Sequence, residues 1–250
     1  MQMSPLAQMA QYQFQQGMAF AQQAAMAEQM MGNLPVAAQG YDQAIAMIAG
    51  SMGTAAQSGV PVPDSVFFAL ACSHFNAARV KAALGWLQFA PMHLAEAHQA
   101  LNRAIAINPN FFQYHSAAGT VLLAEGNAAL ATQAFLRAVQ LNPMDSWSQW
   151  MLSSLYSLQG NPGVAQQYYA AAAQIQPNLP PPQQTLAQQQ VPSGDNSGKA
   201  SQKDWLALIN NGLTLANTIF GSSSQAGGLG GMDQMMGNAS GWNFWNPSGF

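Results

Sequence analysis

The stretch Ala104-Ile-Ala-Ile-Asn-Pro-Asn110 returns as Ala138-Val-Gln-Leu-Asn-Pro-Met144 and again as Ala172-Ala-Gln-Ile-Gln-Pro-Asn178. Its prolines, Pro109, Pro143 and Pro177, stand 34 residues apart both times. A fixed period in the range of roughly 20 to 50 residues marks stacked repeats, in which each unit buries its apolar face against the next. Proline closes each phrase because it carries no amide hydrogen and its ring clashes with the preceding helical turn. From Phe112 to Pro143 apolar residues recur at helical spacing in two runs, with Gly126 and Asn127 supplying a turn between them. The period therefore predicts two antiparallel helices per unit and an all-α fold.

Within the unit Phe112–Asp145 the small residue Gly119 lies in the first helix. Ala131 and Ala138 flank the aromatic Phe135 in the second, and Pro143 follows. This pattern resembles the tetratricopeptide repeat, a helical hairpin of that period. The next unit, Ser146–Leu179, offers Ser153, Ala165, Tyr169, Ala172 and Pro177, with Gly160 at its turn. The preceding unit, Ala78–Phe111, offers Gly85, Ala97, Leu101, Ala104 and Pro109. There Pro91 and Met92 stand where glycine is usual, so this helix pair is expected to join differently. The small residues let helices approach closely, and the aromatic fills the space left over. The resemblance covers residues 78–179 and implies a tetratricopeptide-like helical-hairpin solenoid, with extra helices at both ends.

Upstream, residues 1–32 are rich in Gln, Ala and Met and read as one long helix with a weak apolar face. Residues 33–77 read as a degenerate helical repeat. Ala37-Ala-Gln-Gly-Tyr-Asp-Gln-Ala-Ile-Ala-Met-Ile48 would form its second helix, residues 50–63 a Gly- and Pro-rich loop, and a further helix opens at Asp64 or Ser65 behind Pro63. Downstream, 180–200 is a Pro- and Gln-rich linker, 201–221 an amphipathic helix capped by Ser201 and stopped by Gly221, and 222–250 a Gly-rich tail studded with Met and aromatics.

Only 6% of the 250 residues are charged, against roughly 25% in an ordinary soluble domain. Gln supplies about one residue in eight instead. A formal net charge of −3 gives copies of the chain little repulsion, so the composition permits self-association. The six cationic residues, spread from Arg79 to Lys203, cannot form a phosphate-tracking stripe, which argues against nucleic acid as a partner. The single cysteine, Cys72, lies in the apolar run Val66-Phe-Phe-Ala-Leu-Ala-Cys72 and reads as a buried structural thiol. No Lys or Arg precedes Arg79 and no long apolar run exists, so neither a cleaved secretory signal nor a membrane span is expected. These features suit a cytoplasmic protein or one exported without a cleaved signal.

Reagents for catalysis are scarce. His93 and His98 flank Glu96, but residues five apart on a helix point about 140° apart and do not converge on a metal. Both histidines are read as surface or groove residues, and no catalytic residue, metal site or cofactor is expected. The family resemblance instead implies a concave face built by the first helix of each repeat. Carried over, its positions are Arg79, Ala82, Trp86 and Phe89; Gln113, Ser116, Thr120 and Leu123; and Trp147, Trp150, Ser154 and Ser157. With Arg79 the only cation there, an acidic peptide is disfavoured and an apolar or Gln-rich partner favoured. The C-terminal Gly241-Trp-Asn-Phe-Trp-Asn-Pro-Ser-Gly-Phe250 offers Trp242, Phe244, Trp245 and Phe250 for docking into such a groove. The leading expectation is a non-enzymatic, self-associating scaffold whose partners are copies of itself. The alternative is an adaptor or chaperone that holds another protein's apolar segment.

Overall fold

The computed structural model describes residues 3–29, 32–177 and 179, and among these every regular element is helical. Eight α-helices follow in order: α1 Pro5–Gln29, α2 Leu34–Gln57, α3 Asp64–Ala83, α4 Ala90–Ile107, α5 Phe112–Ala124, α6 Ala128–Leu141, α7 Ser146–Leu158 and α8 Pro162–Ile175. A short 3-10 turn, Leu87–Phe89, precedes α4. The fold is an all-α helical-hairpin solenoid of the repeat type, and the described residues form two compact units that divide between Pro109 and Asn110. The linker, the 201–221 helix and the aromatic tail of the sequence reading lie outside the described residues. No described helix is long and apolar enough to cross a membrane.

The thrice-written phrase is a helix stop. Asn108, Asn142 and Gln176 each precede a proline and are forced out of the helical region, with φ of −133°, −142° and −135°. Each still donates its backbone N–H to the carbonyl of Ala104, Ala138 or Ala172, four residues back. Those three alanines are fully buried. The inter-helix turns repeat as well. Gly85, Gly126 and Gly160 have φ of +82°, +82° and +74°, which only glycine adopts freely. In each case the following residue donates to a carbonyl five residues back, as Asn127 does to Leu122 at 2.8 Å.

In the first unit α1 and α2 form a long hairpin. Their facing stripes are made of small residues, Ala10, Ala21, Ala24, Ala37 and Ala44, around Phe14, Tyr41 and Ile48. The approach is close enough that a Cβ on Gly17 would lie 2.7 Å from Ile48 Cγ1, and one on Gly40 2.8 Å from Ala24 Cβ. Two expectations are corrected here. The N-terminal helix is half of a hairpin with α2, and the loop expected at 50–63 is helical as far as Gln57. The buried spacing Tyr41, Ala44, Ile48, Ser51, Ala55 runs straight through Gly50 and Gly53, so tertiary burial outweighs the weak helix preference of two exposed glycines.

The next hairpin pairs α3 with α4, and it too departs from the expected boundaries. Nothing between Asp64 and Ala83 breaks the helix, so a repeat boundary at Ala78 falls inside α3. The chain turns at Gly85, and Pro91 sits in the first turn of α4, where a missing N–H costs nothing. Cys72 is buried in α3.

In the second unit α5 packs on α6 and α7 on α8. Ala131, Phe135 and Ala138 form the buried stripe of α6, and Ala165 and Ala172 that of α8, while most of both helices faces solvent. Gly119 of α5 lies against the Phe135 ring, close enough that an added Cβ would be 2.8 Å from its Cδ1 and Cε1. Helix α5 is buried continuously from Ser116 to Ala124, and α7 from Ser148 to Leu155. They form the inner layer, and α6 and α8 the outer.

Candidate functional site

The inner layer holds most of the residues that the repeat resemblance assigns to a partner-binding face. The structure joins Ser116 and Thr120 of α5 to Trp147 and Ser148 of α7, while Gln113 and Leu123 lie on α5 and Trp150 on α7. The indole N–H of Trp147 donates to Thr120 Oγ1 at 3.2 Å, and the hydroxyls of Ser148 and Ser116 meet at 2.9 Å. Trp147 and Trp150 stack at 5.7 Å between centroids. This layer is largely closed: Leu123, Thr120 and Trp150 are 0%, 2% and 4% exposed.

At the N-terminus of α7 burial pushes the pKa of Asp145 up, because desolvation of the charged form outweighs the opposing pull of Ser148, Ser116 and the Trp147 amide nearby. Asp145 Oδ2, Gln149 Oε1 and Ser153 Oγ, spaced one helical turn apart along α7, are buried and accept or donate no hydrogen bond. On α8 Tyr169 donates its hydroxyl to Leu179 O at 2.8 Å, and the Tyr156 and Tyr168 rings stack in parallel at 5.6 Å.

The remaining groove candidates separate. Arg79 of α3 grips Glu28 of α1 with two nitrogens, Nη2 lying 2.6 Å from Oε2, and both side chains are about five-sixths buried. The cation that could have met an acidic peptide is thus committed inside the first unit. Trp86 and Phe89 stand on the α3–α4 connection, 44% and 42% exposed beside Leu87 and Met92. They form an apolar tip that belongs to no helix face, because α3 ends at Ala83. Trp242, Phe244, Trp245 and Phe250 lie outside the described residues.

A polar cluster in the first unit escaped the sequence reading. Lys81 Nζ donates to Asp42 Oδ1 at 2.7 Å and lies 2.9 Å from His93 Nε2, while His93 Nδ1 lies 3.0 Å from His74 Nδ1. His93 is therefore no surface residue. It shares the buried face of α4 with Ala90, Leu94 and Ala97. Burial lowers the pKa of His74 and, aided by Lys81, drives that of His93 down to about 4. The one signal in the sequence was the seven-residue separation of His74 and Lys81, two turns on one side of a helix. Among the described residues no group of three metal-ligating side chains converges.

A helical-hairpin array with an inner layer of aromatic and small polar residues defines an interaction module. Residues 148–179 match the model of the tetratricopeptide repeat, and the α5–α6 hairpin before them carries the same residue pattern, so the chain contains repeats of this family. Among solved structures it is similar to MamA, at 15% identity and a TM-score of 0.35 over 65% of this chain and 95% of that one. It is also similar to YrrB, described as a TPR protein with an unusual peptide-binding site, at 16% identity and a TM-score of 0.37 over 67% of this chain and 90% of that one. Likeness this loose carries no functional inference. No curated protein matches the chain.

Proposed function

We infer that the chain is a protein–protein interaction module, a role its repeat fold supports. We propose that it is a non-enzymatic scaffold subunit whose partners are copies of itself, assembling into filaments or other extended arrays. The observation that carries this reading is the sparsely charged, partly apolar outer surface of the first unit. Leu6, Met9, Tyr12 and Met26 are exposed along α1, which has no charged residue before Glu28. Trp86, Leu87, Phe89 and Met92 are exposed at the α3–α4 tip. Terminal repeats of solenoids that stay monomeric carry a polar cap, and large apolar patches on a surface mark interaction sites.

The aromatic tail, with Trp242, Phe244, Trp245 and Phe250, is assigned the role of a docking element on a neighbouring copy. The adaptor reading draws less support, since the inner-layer positions that would grip a foreign segment are mostly buried. Size-exclusion chromatography with light scattering, on the full chain and on one ending at Gly221, tests the assignment. The full chain should form large particles that the truncation does not. Equal masses for the two would remove the tail from the account. Regular particles should also be lost when Met9 and Tyr12 are both replaced by Lys, because two unpaired charges would then be buried in an apolar contact.

A further inference from the structure

The cluster around Lys81 has a fixed proton arrangement. A Lys ammonium only donates, so its 2.9 Å approach to His93 Nε2 makes that nitrogen an acceptor. A neutral imidazole then carries its proton on Nδ1, which faces His74 Nδ1 at 3.0 Å. His74 Nδ1 must accept, which places the His74 proton on Nε2. Each imidazole holds one proton and has no place for another. A second proton on His93 would point at the Lys81 ammonium, and one on His74 Nδ1 would point at the His93 N–H.

The cluster also spans the joint between the two hairpins of the first unit. Asp42 belongs to α2, His74 and Lys81 to α3, and His93 to α4. Beside it runs the other link between these hairpins, Glu28 of α1 with Arg79 of α3. Both are carboxylate–cation links, in a chain where charge is rare.

We propose that Asp42, Lys81, His93 and His74 form an acid-sensitive latch that holds the α1–α2 hairpin against α3–α4 and opens when the imidazole pair takes up a proton. The groups that face the pair are Asp42 from α2, Lys81 from α3, the Phe89 ring lying 5.5 Å under Lys81 Nζ from the 3-10 turn, and Glu96 from α4. Arg79 and its partner Glu28 from α1 complete the charges at the joint. Asp42 and Glu96 favour a protonated histidine, but burial and Lys81 oppose it more strongly. Asp42 is half exposed and lies 4.0 Å from His93 Nε2. When His93 is protonated, this carboxylate must serve two cations and can leave Lys81 for water. Opening would bare the faces that α2 and α3 pack against each other.

The sign follows from linkage. Because both folded-state pKa values lie below the ordinary histidine value, the unfolded or opened state binds more protons. The latch is closed above about pH 6.5 and weakens as pH falls toward about 4, the value for His93. Each proton taken up multiplies the opening equilibrium by up to about tenfold per pH unit.

Two measurements on the full chain test this. Nitrogen-15 spectra of the imidazoles at pH 7.5 should show the proton on Nδ1 of His93 and on Nε2 of His74. Hydrogen exchange, corrected for intrinsic rates, should show α1 and α2 losing at least tenfold of their protection between pH 7 and pH 5, with no such loss in α5–α8. In His93→Gln the amide oxygen accepts from Lys81 and the amide N–H donates to His74, so the latch stays shut and most of that loss should vanish. The opposite tautomer on His93, a pH-independent α1–α2 hairpin, or an undiminished loss in His93→Gln would each overturn the proposal. The tautomer result stands whether or not the variant folds and does not depend on self-association.

Discussion

Replacing Gly119 by Ala should destabilise the second unit, although Gly→Ala inside a helix ordinarily stabilises. The ordinary gain is about 1 kcal/mol, from the backbone freedom that glycine loses on folding. At Gly119 the new methyl would stand 2.8 Å from Cδ1 and Cε1 of Phe135 and 2.9 Å from Cγ, where ordinary contact begins at 3.4 Å. Phe135 is fully buried, so its ring has nowhere to retreat, and the α5–α6 pair must part instead. Overpacking of this kind costs about 1–3 kcal/mol. The net expectation is a loss of up to about 2 kcal/mol, or a melting temperature lower by up to roughly 8 °C. Gly50 and Gly53 of α2 provide the internal control. They are exposed and an added Cβ meets nothing within 4 Å, so each Ala there should stabilise. Thermal and urea unfolding followed by circular dichroism would measure all three. If Gly119→Ala stabilises as much as Gly50→Ala, close packing of the α5–α6 hairpin on a glycine is the wrong account.

Further outcomes follow from the same geometry. Phe135→Ala should cost about 3–5 kcal/mol by urea titration, since it empties a fully buried site. Ser153→Ala should be neutral or stabilising by about 1 kcal/mol, because it removes a fully buried hydroxyl that makes no hydrogen bond. Trp147→Phe, which keeps a ring but loses the bond to Thr120, should cost about 1 kcal/mol in the same assay. Asp145 binds its proton more tightly folded than unfolded, so its contribution favours the fold at low pH and is lost as pH rises past its raised pKa. Asp145→Asn should remove that dependence, seen by comparing unfolding at pH 4 and pH 7.

Much of the fold could be read from the chain, because the second unit repeats one local solution. Pro143 and Pro177 stop helices, Gly126 and Gly160 turn them, and Gly119, Ala131 and Ala138 set their approach. All of these signals lie within a few residues of the feature they create. The first unit was harder to read. Gly50 and Gly53 look like a loop until the buried stripe on α2 is known, and that stripe is defined by α1, more than twenty residues away. The register of α3 was misread for a related reason: Gly85 matches the small-residue position of a repeat beginning at Ala78 while acting as the turn that ends α3. The inner-layer pairing of Thr120 with Trp147 could be anticipated from the repeat pattern. The Asp42–Lys81–His93–His74 cluster could not, since it joins three helices through side chains whose partners no periodicity announces.

The claim at the centre of this account is that copies of the chain assemble through uncharged surfaces. It is tested most directly by the mass of the purified full-length protein in solution, measured by sedimentation equilibrium over a wide concentration range near neutral pH. The account predicts a mass that rises with concentration well beyond the 26.5 kDa of one chain, with little sensitivity to salt because few charges are involved. A single species of 26.5 kDa at every concentration would contradict it.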